Sequence, residues 1–252
     1  MIQPSVSARF EAVDALRGFA MVWMTTFHFS FDLAQAGYFQ QDFYNDPFWT
    51  WQRTGIVSLF LWCAGLGQAI AVAQGQSWPR FWRRWGQVLG CAVLVTAGSW
   101  LMYPHSFIYF GVLHGLALML IIARLTAHWG GWLWGLGAVA IAFKFITVDV
   151  LSTLAATPWP EMLNAPALNW LGLITRKPVT EDYVPLLPWL GVMWWGVAAG
   201  HWLAGRGRLV AGWPVPAALK PLTTLGRWSL SYYMLHQPVL IGALMAWASL
   251  TR

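Results

Sequence analysis

Seven apolar stretches, at about 13–36, 54–74, 86–103, 107–124, 131–151, 186–204 and 228–250, lie near the length of roughly 20 residues that an α-helix needs to cross a bilayer. In lipid every backbone N–H and C=O must find its partner within the protein, so a series of such stretches folds as packed helices. Composition agrees. Of 252 residues, 58% are hydrophobic and 10% charged, where a soluble domain has about a quarter charged. The mean hydropathy is +0.52. The expected fold is an all-α, polytopic transmembrane helix bundle of about seven spans, with a short re-entrant or interfacial helix. No internal repeat or linker divides residues 1–252, so a single transmembrane domain is expected. Trp residues near the segment ends, such as Trp49, Trp78, Trp129 and Trp228, suit interfacial belts. The first apolar run is too long, and too polar with its Asp and His residues, for a cleaved signal peptide.

Charge sets the expected orientation. Arg9, Arg17, Arg80, Arg83, Arg84, Arg124, Arg206, Arg208, Lys220 and Arg227 fall on the side of the N-terminus. Arg53, Arg176, Lys177 and Arg252 fall on the other, and Lys144 lies inside the fifth stretch. Ten against four is a positive-inside bias, which places the N-terminus in the cytoplasm and the C-terminus outside, in an inner membrane. The net charge of +6 is thus a topology signal, and no basic soluble module is present to bind nucleic acid.

The first stretch is unusual because Asp14, Arg17, His28 and Asp32 share one side of it. Eleven positions separate Arg17 from His28, which is three helical turns and an offset of about 20°. Asp14 and Asp32 extend the same stripe by one turn at each end. Ionisable groups at membrane depth are costly unless they face a protein interior or a wet cavity, so this stripe is the first functional candidate. His114 and His236 are the other intramembrane histidines, and Gln237-Pro238 follows the latter. Each is either a site residue or a structural hydrogen-bonding group. Asp182, before the sixth stretch, either binds or deprotonates an acceptor or caps a helix N-terminus. The Pro-rich interval 152–185 is expected outside, with Leu168 to Ile174 as the short interfacial helix. Cys63 and Cys91 both fall in spans and are expected as reduced thiols. No CxxC, HExxH, P-loop or dinucleotide-binding glycine motif occurs, and no metal is expected.

Several strings resemble one family. They are Val13-Asp14-Ala15-Leu16-Arg17-Gly18-Phe19-Ala20-Met21 with Phe27-His28 and Asp32-Leu33, then Asp46-Pro47-Phe48-Trp49, and Phe107-Ile108-Tyr109-Phe110-Gly111 with Leu113-His114. Further on come Asp182-Tyr183-Val184-Pro185-Leu186-Leu187-Pro188-Trp189-Leu190-Gly191, Leu225-Gly226-Arg227 and Tyr233-Met234-Leu235-His236-Gln237-Pro238. Together they resemble bacterial members of the heparan-alpha-glucosaminide N-acetyltransferase catalytic-domain family. The spacing of Arg17 and His28, and the pair Arg80 and Arg83, also resemble the wider transmembrane acyltransferases. The resemblance implies a membrane-embedded acyltransferase that takes acetyl from cytoplasmic acetyl-CoA and passes it to a sugar or other hydroxyl or amine acceptor on the far side. Eukaryotic members are associated with a histidine in the loop after the first catalytic helix. Residues 37–53 here hold none, so the carry-over to His28 follows the wider pattern.

Acyl transfer needs a base for the acceptor proton and a grip on the thioester donor. His28 suits the first role, with Asp32 one turn on to orient it. Arg17 lies roughly 16 Å from His28 along the helix, comparable to a pantetheine arm. With Arg80, Arg83 and Arg84 it can bind CoA phosphates, since guanidinium forks match phosphate oxygens. The same arginines also read as topology signals, and Asp14–Arg17 as a plain ion pair. Asp182 completes the catalytic candidates. His114, Tyr183, Trp189, His236 and Gln237 are the candidates for the substrate. A proton-coupled transporter, and a non-catalytic membrane protein with a histidine-lined cavity, stay open as alternatives, as does a homodimer.

Overall fold

A computed structural model describes residues 10–205 and 215–251. Arg9, Arg206, Arg208 and Arg252, four members of the charge bias, lie outside them. Nine α-helices occur among the described residues: α1 (Glu11–Gln35), α2 (Pro47–Ala73), α3 (Trp78–Met102), α4 (Val112–Thr126), α5 (Trp132–Thr153), α6 (Trp159–Asn164), α7 (Leu186–Gly205), α8 (Lys220–Arg227) and α9 (Ser229–Thr251). No strand accompanies them, and Phe110 and Tyr183 form an isolated parallel bridge. Each of the seven apolar stretches is a long helix. Among the described residues, five helical segments are long and apolar enough to cross a membrane: α2, α3, α4 with its 3₁₀ extension to Trp129, α5 and α9. The expectation of seven spans is matched to that extent. α1 is diluted by Glu11, Asp14, Arg17 and Asp32, and α7 by its Trp and Gly residues and His201.

Helix starts differ from the hydrophobic pattern where capping chemistry intervenes. α2 begins seven residues before its expected start because Asp46 precedes Pro47, and its carboxylate accepts the Phe48 N–H at 2.8 Å. An acidic N-cap followed by proline at the first helical position is a favoured start. α4 begins five residues late. Residues 107–111 are extended, Val184 N–H donates to the Phe110 carbonyl at 3.2 Å, and Asp182 accepts the Val112 N–H at 2.7 Å. The apolar patch from Leu168 to Ile174 is not a helix beyond a single 3₁₀ turn, Asn169–Leu171. Gly172 stops it at φ +89°, a left-handed conformation that glycine adopts without strain. The short helix of this interval is α6 instead.

The described residues fall into two compact units: those up to Phe60 with those from 215 onward, and those from Leu61 to 205. In the first, α1 packs on α8 and α9. A Cβ at Gly18 would run into the Leu222 carbonyl, and one at Gly226 into the Asp14 carbonyl, so the two glycines let the backbones of α1 and α8 touch. Met21, Met24 and Ile56 form a core against Trp23, Phe60, Leu225 and Tyr233. The second unit uses the same device. Gly196 of α7 meets the Trp62 carbonyl of α2, Gly65 meets the Met193 carbonyl, and Gly191 meets the Gly137 carbonyl of α5. α3 and α9 expose large apolar side chains along their length, among them Val93, Leu94, Leu101, Val239 and Met245, as lipid-facing helices do.

Candidate active site

In the first unit, the stripe of α1 meets the motif of α9. Gln237 Nε2 donates to both oxygens of Asp32, at 2.9 and 3.0 Å. The expected bond from His28 to Asp32 is therefore replaced: the carboxylate is held across 205 positions of sequence by an amide. His28 faces His236, with ring centroids 5.2 Å apart at 66°. No hydrogen bond among the described residues involves the His28 ring. His236 Nδ1 donates to the Tyr233 carbonyl at 2.7 Å, and the Tyr232 ring stacks on it at 6.1 Å. Thr25 donates to the Met21 carbonyl, so Tyr232 donates to Thr25 Oγ1, at 2.7 Å. Two acceptors here, His236 Nε2 and Gln237 Oε1, are enclosed without a donor. An unmet buried polar atom costs about 1–3 kcal/mol, so a pair of them on consecutive residues calls for an explanation.

Beyond the C-terminal end of this stripe lies a cavity of about 520 Å³, lined by Phe31, Gln35, Gln40, Asp42, Phe43 and Tyr44 among others. Asp42, exposed in this lining, is also bonded within its own loop. Its carboxylate accepts from Asn45 Nδ2 and from the N–H groups of Tyr44 and Asn45, all at 2.9 Å, and these bonds hold it below the usual carboxylate range.

Arg17, at the other end of α1, pairs with Asp14 at 3.1 Å. Asp14 is 6% exposed and also approached by Arg227 Nε at 3.8 Å, while Arg227 pairs with Glu11 at 3.2 Å. Two cations and two anions thus join the start of α1 to the end of α8. Arg227 was not among the site candidates of the sequence; its neighbours Leu225 and Gly226 were the available signal.

The second unit contains the remaining candidates. Arg80, Arg83 and Arg84 lie exposed in the first turns of α3. Arg124, unremarked as a site residue, donates to the Gln76 carbonyl at 2.5 Å and lies 5.1 Å over the Trp78 ring. His114 is bonded at both nitrogens. Gly111 N–H donates to Nδ1 at 3.3 Å, and Nε2 lies 3.0 Å from Thr96 Oγ1, whose own proton goes to the Ile108 carbonyl. Nε2 is therefore the donor. Asp182 caps α4, as above. Tyr183 donates to the Asn169 carbonyl at 2.6 Å, and Asn169, 1% exposed, donates to the Tyr109 hydroxyl at 2.7 Å. Burial, with Tyr109 nearby, pushes the Tyr183 phenol above its ordinary range. Trp189, at the start of α7, is half-buried. Among the described residues no three His, Cys, Asp or Glu side chains gather as a metal-binding group.

These motifs now have an outside measure. The family model described as heparan-alpha-glucosaminide N-acetyltransferase, catalytic, matches residues 9–238, most of the chain. No curated protein and no solved structure matches the chain.

Proposed function

The chain belongs to the heparan-alpha-glucosaminide N-acetyltransferase catalytic family, and from that premise we propose that it moves an acetyl group from cytoplasmic acetyl-CoA to an extracytoplasmic sugar or other hydroxyl or amine acceptor. The observation that carries this reading is the polar cluster His28, Asp32, His236 and Gln237, set among apolar helices, with two enclosed acceptors awaiting a donor. A polar acceptor with a further O–H or N–H beside its reacting group supplies the donor that Gln237 Oε1 lacks. His28 is the base that takes its proton. Gln237 holds Asp32 and turns its own carbonyl oxygen toward the substrate. The cavity of aromatic and amide side chains past the end of the stripe suits a polyhydroxylated acceptor, whose faces stack on rings and whose hydroxyls bond to amides.

Arg17, Arg80, Arg83 and Arg84 are the candidates to bind the CoA phosphates. Arg17 does so only as one member of its ion-pair network, whereas the three on α3 are exposed. Asp182, His114 and Tyr183 hold the start of α4 and the segment before α7, and Trp189 stands with them as the second unit's candidate for the acceptor. In this reading α1 and α7 also cross the inner membrane, the N-terminus is cytoplasmic, the C-terminus is outside, and the whole chain acts as one domain.

Purified protein given acetyl-CoA labelled in its acetyl group is expected to transfer label to acceptors in a membrane extract. His28→Ala is expected to stop that transfer while keeping its thermal stability. Transfer by the His28→Ala protein at the parent rate would sink the assignment.

A further inference from the structure

The base has a partner other than the one its own helix offers. Asp32, one turn beyond His28, is committed to Gln237 through both oxygens. What His28 faces is a second imidazole, 5.2 Å away. Two imidazoles joined by an N–H···N bond have about that separation, roughly 2.9 Å between nitrogens plus the two ring radii. His236 is prepared to accept such a bond. A carbonyl only accepts, so the contact of 2.7 Å to Tyr233 fixes the ring's proton on Nδ1 and leaves Nε2 as a lone pair. That Nε2 is enclosed and without a partner in a residue 8% exposed. Tyr232, stacked on the ring and tied to Thr25, restrains its rotation.

Resting on the acyl-transfer reading above, we propose that His236 is the positioning residue of His28. The Tyr233 carbonyl holds His236, and Nε2 of His236 holds the proton-bearing nitrogen of His28. The chain of carbonyl, imidazole and imidazole does what a carboxylate does behind a catalytic histidine. The acceptor oxygen or nitrogen adds to the thioester carbonyl and forms the new C–O or C–N bond. Its proton passes to the free nitrogen of His28. The C–S bond then breaks, and the imidazolium returns the proton to the CoA thiolate. Through both proton transfers the opposite nitrogen of His28 keeps its hydrogen and donates it to His236. Such bonds often align fully only with substrate in place, and here the ring centroids lie 5.2 Å apart while His236 Nε2 is still without a partner.

The test uses the full chain in lipid nanodiscs, with acetyl-CoA as donor and glucosamine as the acceptor probe. His236→Leu is expected to lower kcat about tenfold to a hundredfold with KM for acetyl-CoA unchanged, the size of effect seen when the outer partner of a working histidine is lost. His236→Gln restores an acceptor and is expected to recover part of the rate. Parent-level kcat in His236→Leu, or a change confined to KM, overturns the proposal. Nitrogen NMR of histidine-labelled protein supplies a readout free of turnover. His236 is expected neutral with its proton on Nδ1, and the His28 signals are expected to move in His236→Leu and to return toward the parent in His236→Gln. A His236 protonated on Nε2, or His28 signals that do not move, overturns the pairing whether or not glucosamine is a substrate. A parent protein that consumes no acetyl-CoA contradicts the acyl-transfer reading instead, and the NMR result still decides the pairing.

Discussion

His114 and His236 look alike in sequence, each a single histidine near the start or middle of an apolar helix, yet their surroundings differ. In the second unit His114 accepts from Gly111 and donates to Thr96, so both nitrogens are used in holding the start of α4. In the first unit His236 uses one nitrogen on a carbonyl and leaves the other empty and enclosed. Asp182 and Asp32 repeat the contrast. One accepts a backbone N–H and caps a helix; the other is held by a glutamine whose remaining oxygen has no donor. A buried polar residue whose bonds are complete stabilises the fold. One whose bonds are left incomplete carries a cost that a later partner can remove, His28 in the case of His236 and the substrate in the case of Gln237.

The contrast can be broken most sharply at the histidines. His28→Ala is expected to lower acetyl transfer by about 10²–10⁴-fold, the range typical of a general base, whereas His114→Ala keeps most of its rate per folded molecule. An inactive but fully folded His114→Ala protein would erase the distinction. Next in size, Asp182→Ala and His114→Ala are each expected to cost about 1–3 kcal/mol of stability, read as a lowered Tm, by leaving α4 donors unmet. Asp182→Asn that loses rate without losing Tm would return Asp182 to the chemistry.

The close crossings offer a comparison of similar size. Gly226→Ala forces a Cβ into the Asp14 carbonyl and is expected to destabilise by about 1–3 kcal/mol, while Gly90→Ala on α3 meets nothing and is expected to gain up to about 1 kcal/mol. Equal melting temperatures for the two would contradict the packing of α1 on α8. The smallest effect is at Asp42. Its carboxyl ionises more readily folded than unfolded, so its contribution is present above the ordinary carboxylate range and is lost as pH falls through the lowered value. A stability profile of Asp42→Ala against the parent should therefore converge at acid pH.

Helix positions were legible because apolar length decides them: the seven stretches and the seven long helices overlap, but Asp46 and Asp182 reset the starts of α2 and α4, and α3 begins at Trp78 instead of about 86, with Pro79 in its first turn. α8 was not legible. It is two turns long, and it earns its place through Gly226 and Gly18 touching the other helix's backbone, which no periodicity reveals. Arg17, read both as a phosphate ligand and as the ion-pair partner of Asp14, is bonded to Asp14. The stripe of α1 identified His28 and Asp32, and the last motif identified His236 and Gln237. That these four belong together could not be read, since Asp32 and Gln237 are 205 positions apart.

By itself, then, the order of residues determined a helical membrane protein and the polar edge along its first helix, because hydrocarbon admits only segments that satisfy their own backbones. Tertiary structure alone decided which polar groups find partners and which do not. Hydrogen bonds between side chains depend on directions and distances of a few ångströms, set by how helices cross, and the crossing in turn depends on where glycine lets two backbones meet.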